Sequence, residues 1–144
     1  IYGLRERQFR RYFDFASEKK GVTAQIMMEL LERRLDNIVF RLGLAPTRHA
    51  ARQLVAHGHF TVNNHRTYSP SYSVKPGDSI AIRESSQIKK IFENIRTILK
   101  KFEPPSWLEL DKEKLVSIMV HLPDQNFLKE LPVELSKVLE YYSR

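Results

Sequence analysis

The 144-residue chain contains no cysteine, which excludes disulfides, thiol nucleophiles and thiolate metal sites. Five glycines are spread along it, too few for most phosphate-cradling loops. Neither a dinucleotide fingerprint nor a Gly-x-Ser-x-Gly nucleophile elbow occurs. Acidic residues are scattered or interleaved with lysine on helical stretches, the pattern of solvated faces. No apolar run approaches the ~18 residues that a membrane-spanning helix needs, and no signal peptide is visible. The first residue is Ile1 rather than Met, so an upstream segment is expected. His57-Gly58-His59 with His49 or His65 could suggest zinc, but no carboxylate or thiolate stands at a ligand-like spacing. The expectation from these absences is a protein without catalytic activity, metal or cofactor.

What is present is positive charge on an adequate core. Hydrophobic residues make up 42%, enough for a modest core. The net charge is +7 and the isoelectric point about 9.7, which suits a polyanion, nucleic acid before acidic membrane. Residues 1–32 carry a net charge of +1, residues 33–83 carry +6 and residues 84–144 carry none. In the middle stretch arginine outnumbers lysine seven to one. Arginine's planar fork can take two phosphate oxygens or stack on a base, which lysine cannot do.

Periodicity divides the chain further. A helix is expected from about Leu4 to Lys20, with Phe9, Tyr12, Phe13 and Ala16 on one face and Arg7, Arg10, Arg11 and Asp14 opposite. Thr23 can cap a second helix, whose stripe Ile26, Met27, Leu30, Leu31, Leu35, Ile38, Val39 and Leu42 keeps three-four spacing for nearly five turns before Gly43 ends it. A third helix starts at Pro46-Thr47 and stops at Gly58, making a helical hairpin with the second. The period then falls to two. Phe60 with Val62, Tyr72 with Val74, and Ile80 with Ile82 are short strands, separated by turns at Asn63-Asn64 and Pro76-Gly77-Asp78. A further helix is expected over residues 85–102, a strand over Leu115–Leu122 and a helix over Val133–Tyr142. The fold class is α+β: a helical subdomain and a compact module of a helical hairpin with a small antiparallel sheet. The expected divisions are residues 1–32, 33–95 and 96–144, the last returning to the helical subdomain.

The candidate binding residues follow from the charge map. Arg33, Arg34 and Arg41 belong to the second helix, and Thr47, Arg48, Arg52 and Gln53 to the third. His57 and His59 close that helix, and Arg66 and Lys75 lie between strands. Arg7, Arg10 and Arg11 form a separate ladder on the first helix. Any single arginine could instead pair locally, Arg34 or Arg41 with Asp36 or Glu32. The whole set outruns the carboxylates nearby.

An ordered series carries a family resemblance. Arg34-Leu35-Asp36-Asn37, Arg41-Leu42-Gly43, Thr47-Arg48, Ala51-Arg52-Gln53-Leu54-Val55, His57-Gly58-His59, Val62-Asn63, Pro70-Ser71-Tyr72 and Val74-Lys75-Pro76-Gly77-Asp78 resemble the RNA-binding module named after ribosomal protein S-four. The module also occurs in pseudouridine synthases, bacterial tyrosyl-tRNA synthetases and a heat-shock protein of stalled large subunits. The flanks decide among these. Tyr2-Gly3, Glu6-Arg7-Gln8-Phe9-Arg10 and Tyr12, then Trp107-Leu108-Glu109 and Asp111, then Glu140 and Tyr142-Ser143-Arg144 resemble the bacterial or organellar small-subunit ribosomal protein family itself, without most of its N-terminal arm. The resemblance implies a structural constituent of the small subunit that binds 5′-domain small-subunit rRNA, nucleates assembly and supports decoding accuracy. Its implied partners are that rRNA, the neighbouring ribosomal protein S-five and messenger RNA on its way into the ribosome, with no membrane. Its implied location is a cytoplasmic or organellar ribosome. The alternatives are a free RNA-binding regulator, a ribosome-rescue factor, or the RNA-binding part of a pseudouridine synthase. Asn64 stands where the family has glycine, and Thr67-Tyr68-Ser69 replaces a more apolar stretch. His121-Leu122-Pro123-Asp124-Gln125 lacks two arginines usual in the family, and no contact is carried over there.

Overall fold

The computed structural model describes residues 7, 8, 10–12 and 23–124. The chain divides into two compact units, residues 1–32 with 123–144, and residues 33–122. In the first, Arg7, Gln8, Arg10, Arg11 and Tyr12 are helical. Helix α1 spans Thr23–Glu32; of the stripe expected of it Met27 and Leu31 are buried and Ile26 and Leu30 half-buried, and Met28, outside that stripe, is buried too. The expected helix over 133–142 lies outside the described residues, as does most of the one over 4–20.

The second unit opens with helix α2 (Leu35–Arg41) and helix α3 (Arg48–Ala56). Strands β1 (Phe60–Val62), β2 (His65–Thr67) and β3 (Ser79–Ile82) follow. Next come the short helix α4 (Glu84–Gln87), a single 3-10 turn (Lys90–Phe92) and helix α5 (Ile95–Leu99). Strands β4 (Leu108–Asp111) and β5 (Val116–Met119) close the unit. The five strands form one antiparallel sheet in the order β2-β1-β3-β5-β4.

Register sets what the sheet buries. Phe60 faces Ile82, Val62 faces Ile80, Ile80 faces Ser117 and Leu108 faces Met119. All of these side chains are buried, so one face is the core face, as alternation requires. The Ser117 hydroxyl there donates to the Glu109 carbonyl at 2.7 Å. Leu35, Ile38, Val39, Leu42, Ala51 and Val55 supply the buried stripes of the helical hairpin. Strands β4 and β5 join through β3, which draws residues well beyond 95 into this unit.

Three expectations are corrected. The helix over Ile26–Leu42 is two helices. Between them Arg34 is extended (φ −63°, ψ 139°) and bridges Ser73. Leu35 N–H donates to the Tyr72 carbonyl, Asp36 N–H to the Pro70 carbonyl and Val74 N–H to the Arg33 carbonyl, at 2.9–3.0 Å. The backbone of 33–36 thus pairs with a distant segment instead of with its own preceding turn. The apolar stripe stays in register through the break, so periodicity could not reveal it. The Tyr72–Val74 segment, expected as a sheet strand, makes that bridge, and β1 pairs instead with His65–Thr67 on one side and with β3 on the other. The helix over 85–102 is broken into α4, the 3-10 turn and α5, leaving Ile88, Ile91 and Ile98 exposed. The turns hold as expected. Asn63 and Asn64 both have positive φ (51° and 68°), the requirement of a tight hairpin. Gly77 has φ 93° behind Pro76, the arrangement of a type II turn.

Candidate nucleic-acid interface

Only two carboxylates, Asp36 and Asp78, lie among residues 33–83, and both serve the scaffold. Asp78 accepts from Asn63 Nδ2 at 3.0 Å and from Lys75 N–H at 2.9 Å, tying the two turns together. Asp36 accepts from Arg34 Nε at 3.1 Å and Arg34 Nη2 at 3.0 Å. Its Oδ1 also takes Asn37 N–H at 2.7 Å, and Arg52 Nε stands 3.6 Å from its Oδ2. Of the eight cations in this stretch, Arg66 and Lys75 are exposed, Arg34 is buried and the other five are half-buried.

The candidate residues sort into two groups. One lies along the paired helices. Thr47 caps α3 by accepting Ala50 N–H at 3.0 Å, and Arg48 and Arg52 follow one turn apart. Arg48 Nε donates to Asn37 Oδ1 at 3.4 Å, and its guanidinium lies 4.5 Å from the Phe40 ring centroid. The Arg52 side chain is 30% exposed, so Asp36 and Asn37 orient both arginines without hiding them. Gln53 is exposed and Arg41 half-buried.

The other group surrounds the end of α3, roughly 13 Å along a helix of this length. His57 is exposed and His59 half-buried, with their rings 6.4 Å apart. His59 Nδ1 meets Ser86 Oγ at 2.9 Å, and its ring packs edge-on against Phe92 at 5.8 Å. Burial holds the His59 imidazole below its ordinary pKa, aided by the positive fields of His57, Lys89, Arg83 and Arg66. Arg66 Nε donates to the Gly58 carbonyl at 3.1 Å, and its guanidinium lies 4.8 Å from the Tyr68 ring centroid.

Not every expected residue reaches a surface. Arg34 is 3% exposed and turned onto Asp36, so as placed it positions Arg52's carboxylate partner and does not offer itself to a ligand. Arg33 is half-buried and spends Nε on the Val74 carbonyl at 2.9 Å. Lys75 is exposed beside the Asp78-bound turn. Arg7, Arg10 and Arg11 are helical and exposed, in the other unit. Tyr68, Arg83 and Lys89 were missed. For Tyr68 a signal existed: two residues past Arg66 along an extended chain, it shares that side chain's face. Among the described residues no group of three or more His, Cys, Asp or Glu could hold a metal ion. No helix among them is long and apolar enough to cross a membrane.

Residues 33–80 match the S4 domain, and residues 1–32 match the ribosomal protein S4/S9 N-terminal domain. The small ribosomal subunit protein uS4 of Aquifex aeolicus is 50% identical over 99% of the chain and 68% of its own length. That of Thermus thermophilus is 49% identical over 100% and 68%, and that of Persephonella marina 48% over 98% and 68%. The chain belongs to the uS4 family. Within it, the S4-domain match takes in α2, α3, β1 and β2, and with them both groups of cations up to Lys75. Arg83 and Lys89 lie just beyond its end, and Arg7, Arg10 and Arg11 fall in the N-terminal match.

Proposed function

We propose that this chain is a structural constituent of the small ribosomal subunit that grips folded small-subunit rRNA with the cations of residues 33–89. One observation carries the reading: the two carboxylates of this stretch hold α2, α3 and the turns, and half-buried Arg48 and Arg52, held by Asn37 and Asp36, share one scaffold with exposed Arg66 and Lys75. Membership of the uS4 family supports the ribosomal setting, and the RNA-binding character of the S4 domain supports the ligand. Phosphate contacts from a rigid scaffold suit A-form RNA, whose deep major groove hides the bases. The same reading places the chain on the ribosome beside protein S-five and near the path by which messenger RNA enters. Its role there is nucleating assembly and supporting decoding accuracy, and it assigns the chain no catalytic step.

The test compares two double variants for binding to a transcript of the 5′ domain of small-subunit rRNA. Arg48→Ala with Arg52→Ala should weaken binding and flatten the log–log salt slope by about 1.4–1.8 if each side chain neutralises one phosphate. Lys112→Ala with Lys114→Ala should leave both quantities near wild type. Equal losses would remove the basic module as the contact surface.

A further inference from the structure

Tyr68 is 52% exposed, an unusual position for an aromatic ring with no core to serve. It is nonetheless held. The Arg66 guanidinium lies 4.8 Å from its centroid, and Arg66 is itself fixed by the bond from Nε to the Gly58 carbonyl. A Cβ on Gly58 would come within 2.5 Å of Tyr68 Cε1 and 2.7 Å of Arg66 Nε, so the stacked pair lies directly against the end of α3. Its surroundings are cationic: Arg66, Arg83, Lys89 and His57 all act on the neighbouring His59 with the same sign. Arg83 Nε is buried without a hydrogen-bond partner among the described residues. A fixed, exposed ring and an overlying guanidinium in a positive field suit a ligand with both a π-face and negative charge.

We propose that Tyr68 and Arg66 form a stacking platform for one unpaired nucleobase of the bound RNA. The inference rests on the RNA-binding reading above and adds to it. Phosphate contacts position an RNA without reading it, whereas a stacked base requires a bulge or loop at a defined place. Every base has a π-face, so the platform selects for an unpaired nucleotide and not for its identity. Arginine over tyrosine already supplies part of the stack, so little ordering remains to be done on binding.

The test uses the full chain, the same 5′-domain transcript and three variants. Tyr68→Phe should bind within about twofold of wild type, because the ring is kept. Tyr68→Leu should bind about 5- to 160-fold more weakly, the range that removal of one base stack gives, with its salt slope unchanged because no phosphate contact is lost. Tyr68→Trp should bind at least as tightly as wild type, with its new indole emission quenched as RNA is added. That variant keeps the question open to refutation if the leucine variant fails to fold. Wild-type affinity in Tyr68→Leu, a slope that falls by about 0.7–0.9 in it, or an unquenched indole would overturn the platform. So would a phenylalanine variant as weak as the leucine one. If Arg48→Ala with Arg52→Ala loses affinity while Tyr68→Leu does not, the platform alone is wrong. If the wild-type chain does not bind the transcript, the RNA reading itself fails.

Discussion

Asp36 accepts hydrogen bonds from two nitrogens of Arg34, takes the Asn37 N–H and faces Arg52, with side chains 4% and 7% exposed in the Arg34–Asp36 pair. Ions this deep have given up water, and their attraction in a low-dielectric interior offsets that cost only while both are present. Removing one leaves the other buried without its countercharge. Asp36→Ala is therefore expected to cost about 3–5 kcal/mol of folding stability, read from the midpoint of urea unfolding. Replacing Arg34 and Asp36 together by apolar residues should cost clearly less than the two single changes summed, since neither deeply buried ion is left without the other and Arg52 is partly solvated. Strict additivity would show that the pair is not coupled. The pairing of Arg34 with Asp36 was one of two readings open from the sequence, and nothing in residue type alone could decide it. The decision came with the extended backbone at Arg34, just before α2, where the Arg34 side chain is buried on Asp36.

At the level of elements, α3 links the two cation groups, and its ends are set by Thr47 and Gly58. Gly58 has φ +78°, a region that costs an L-residue about 1–2 kcal/mol, and its missing Cβ leaves room for Arg66 and Tyr68. Gly58→Ala should lower stability by roughly that amount. It should also weaken RNA binding beyond what the fold loss explains, because the pair above it must move. Melting temperature and affinity measured on one preparation separate the two effects. A variant that melts lower but binds as wild type would mean that the platform tolerates displacement. Both ends of α3 were legible in the sequence, since Thr before a periodic stretch and Gly after it are local signals with local causes. The α2–α3 hairpin, β1, β3, β5 and both turns were legible for the same reason. What escaped was non-local. The break before α2 depends on hydrogen bonds from Leu35 to Tyr72 and from Asp36 to Pro70. Strand β2, a polar His-Arg-Thr run, is a strand only because β1 lies beside it. Strand β4 exists through its pairing with β5, and the irregular path from Glu84 to Leu99 kept a helical pattern without forming one helix.

For the molecule as a whole, the relevant quantity is how many cations can meet phosphates at once. The charge excess between residues 33 and 83 overstates it, because Arg34 is buried on Asp36 and Arg33 is committed at Nε to the Val74 carbonyl. Arg66 and Lys75 are exposed and Arg48 and Arg52 half-buried, and exposed Lys89 is close enough to His59 in space to act on it. Each neutralised phosphate releases condensed counterions, so log affinity falls linearly with log salt by about 0.7–0.9 per contact. If about five phosphates are neutralised, binding to the 5′-domain transcript should show a slope of roughly −3.5 to −4.5, measured between 50 and about 200 mM monovalent salt. The size of a deviation is itself informative. A steeper slope that returns to this range when Arg7, Arg10 and Arg11 are changed to alanine would bring the N-terminal ladder into the same complex. A slope near zero would remove the phosphate grip, since no arrangement of exposed guanidinium groups on a polyanion can bind without displacing its counterions.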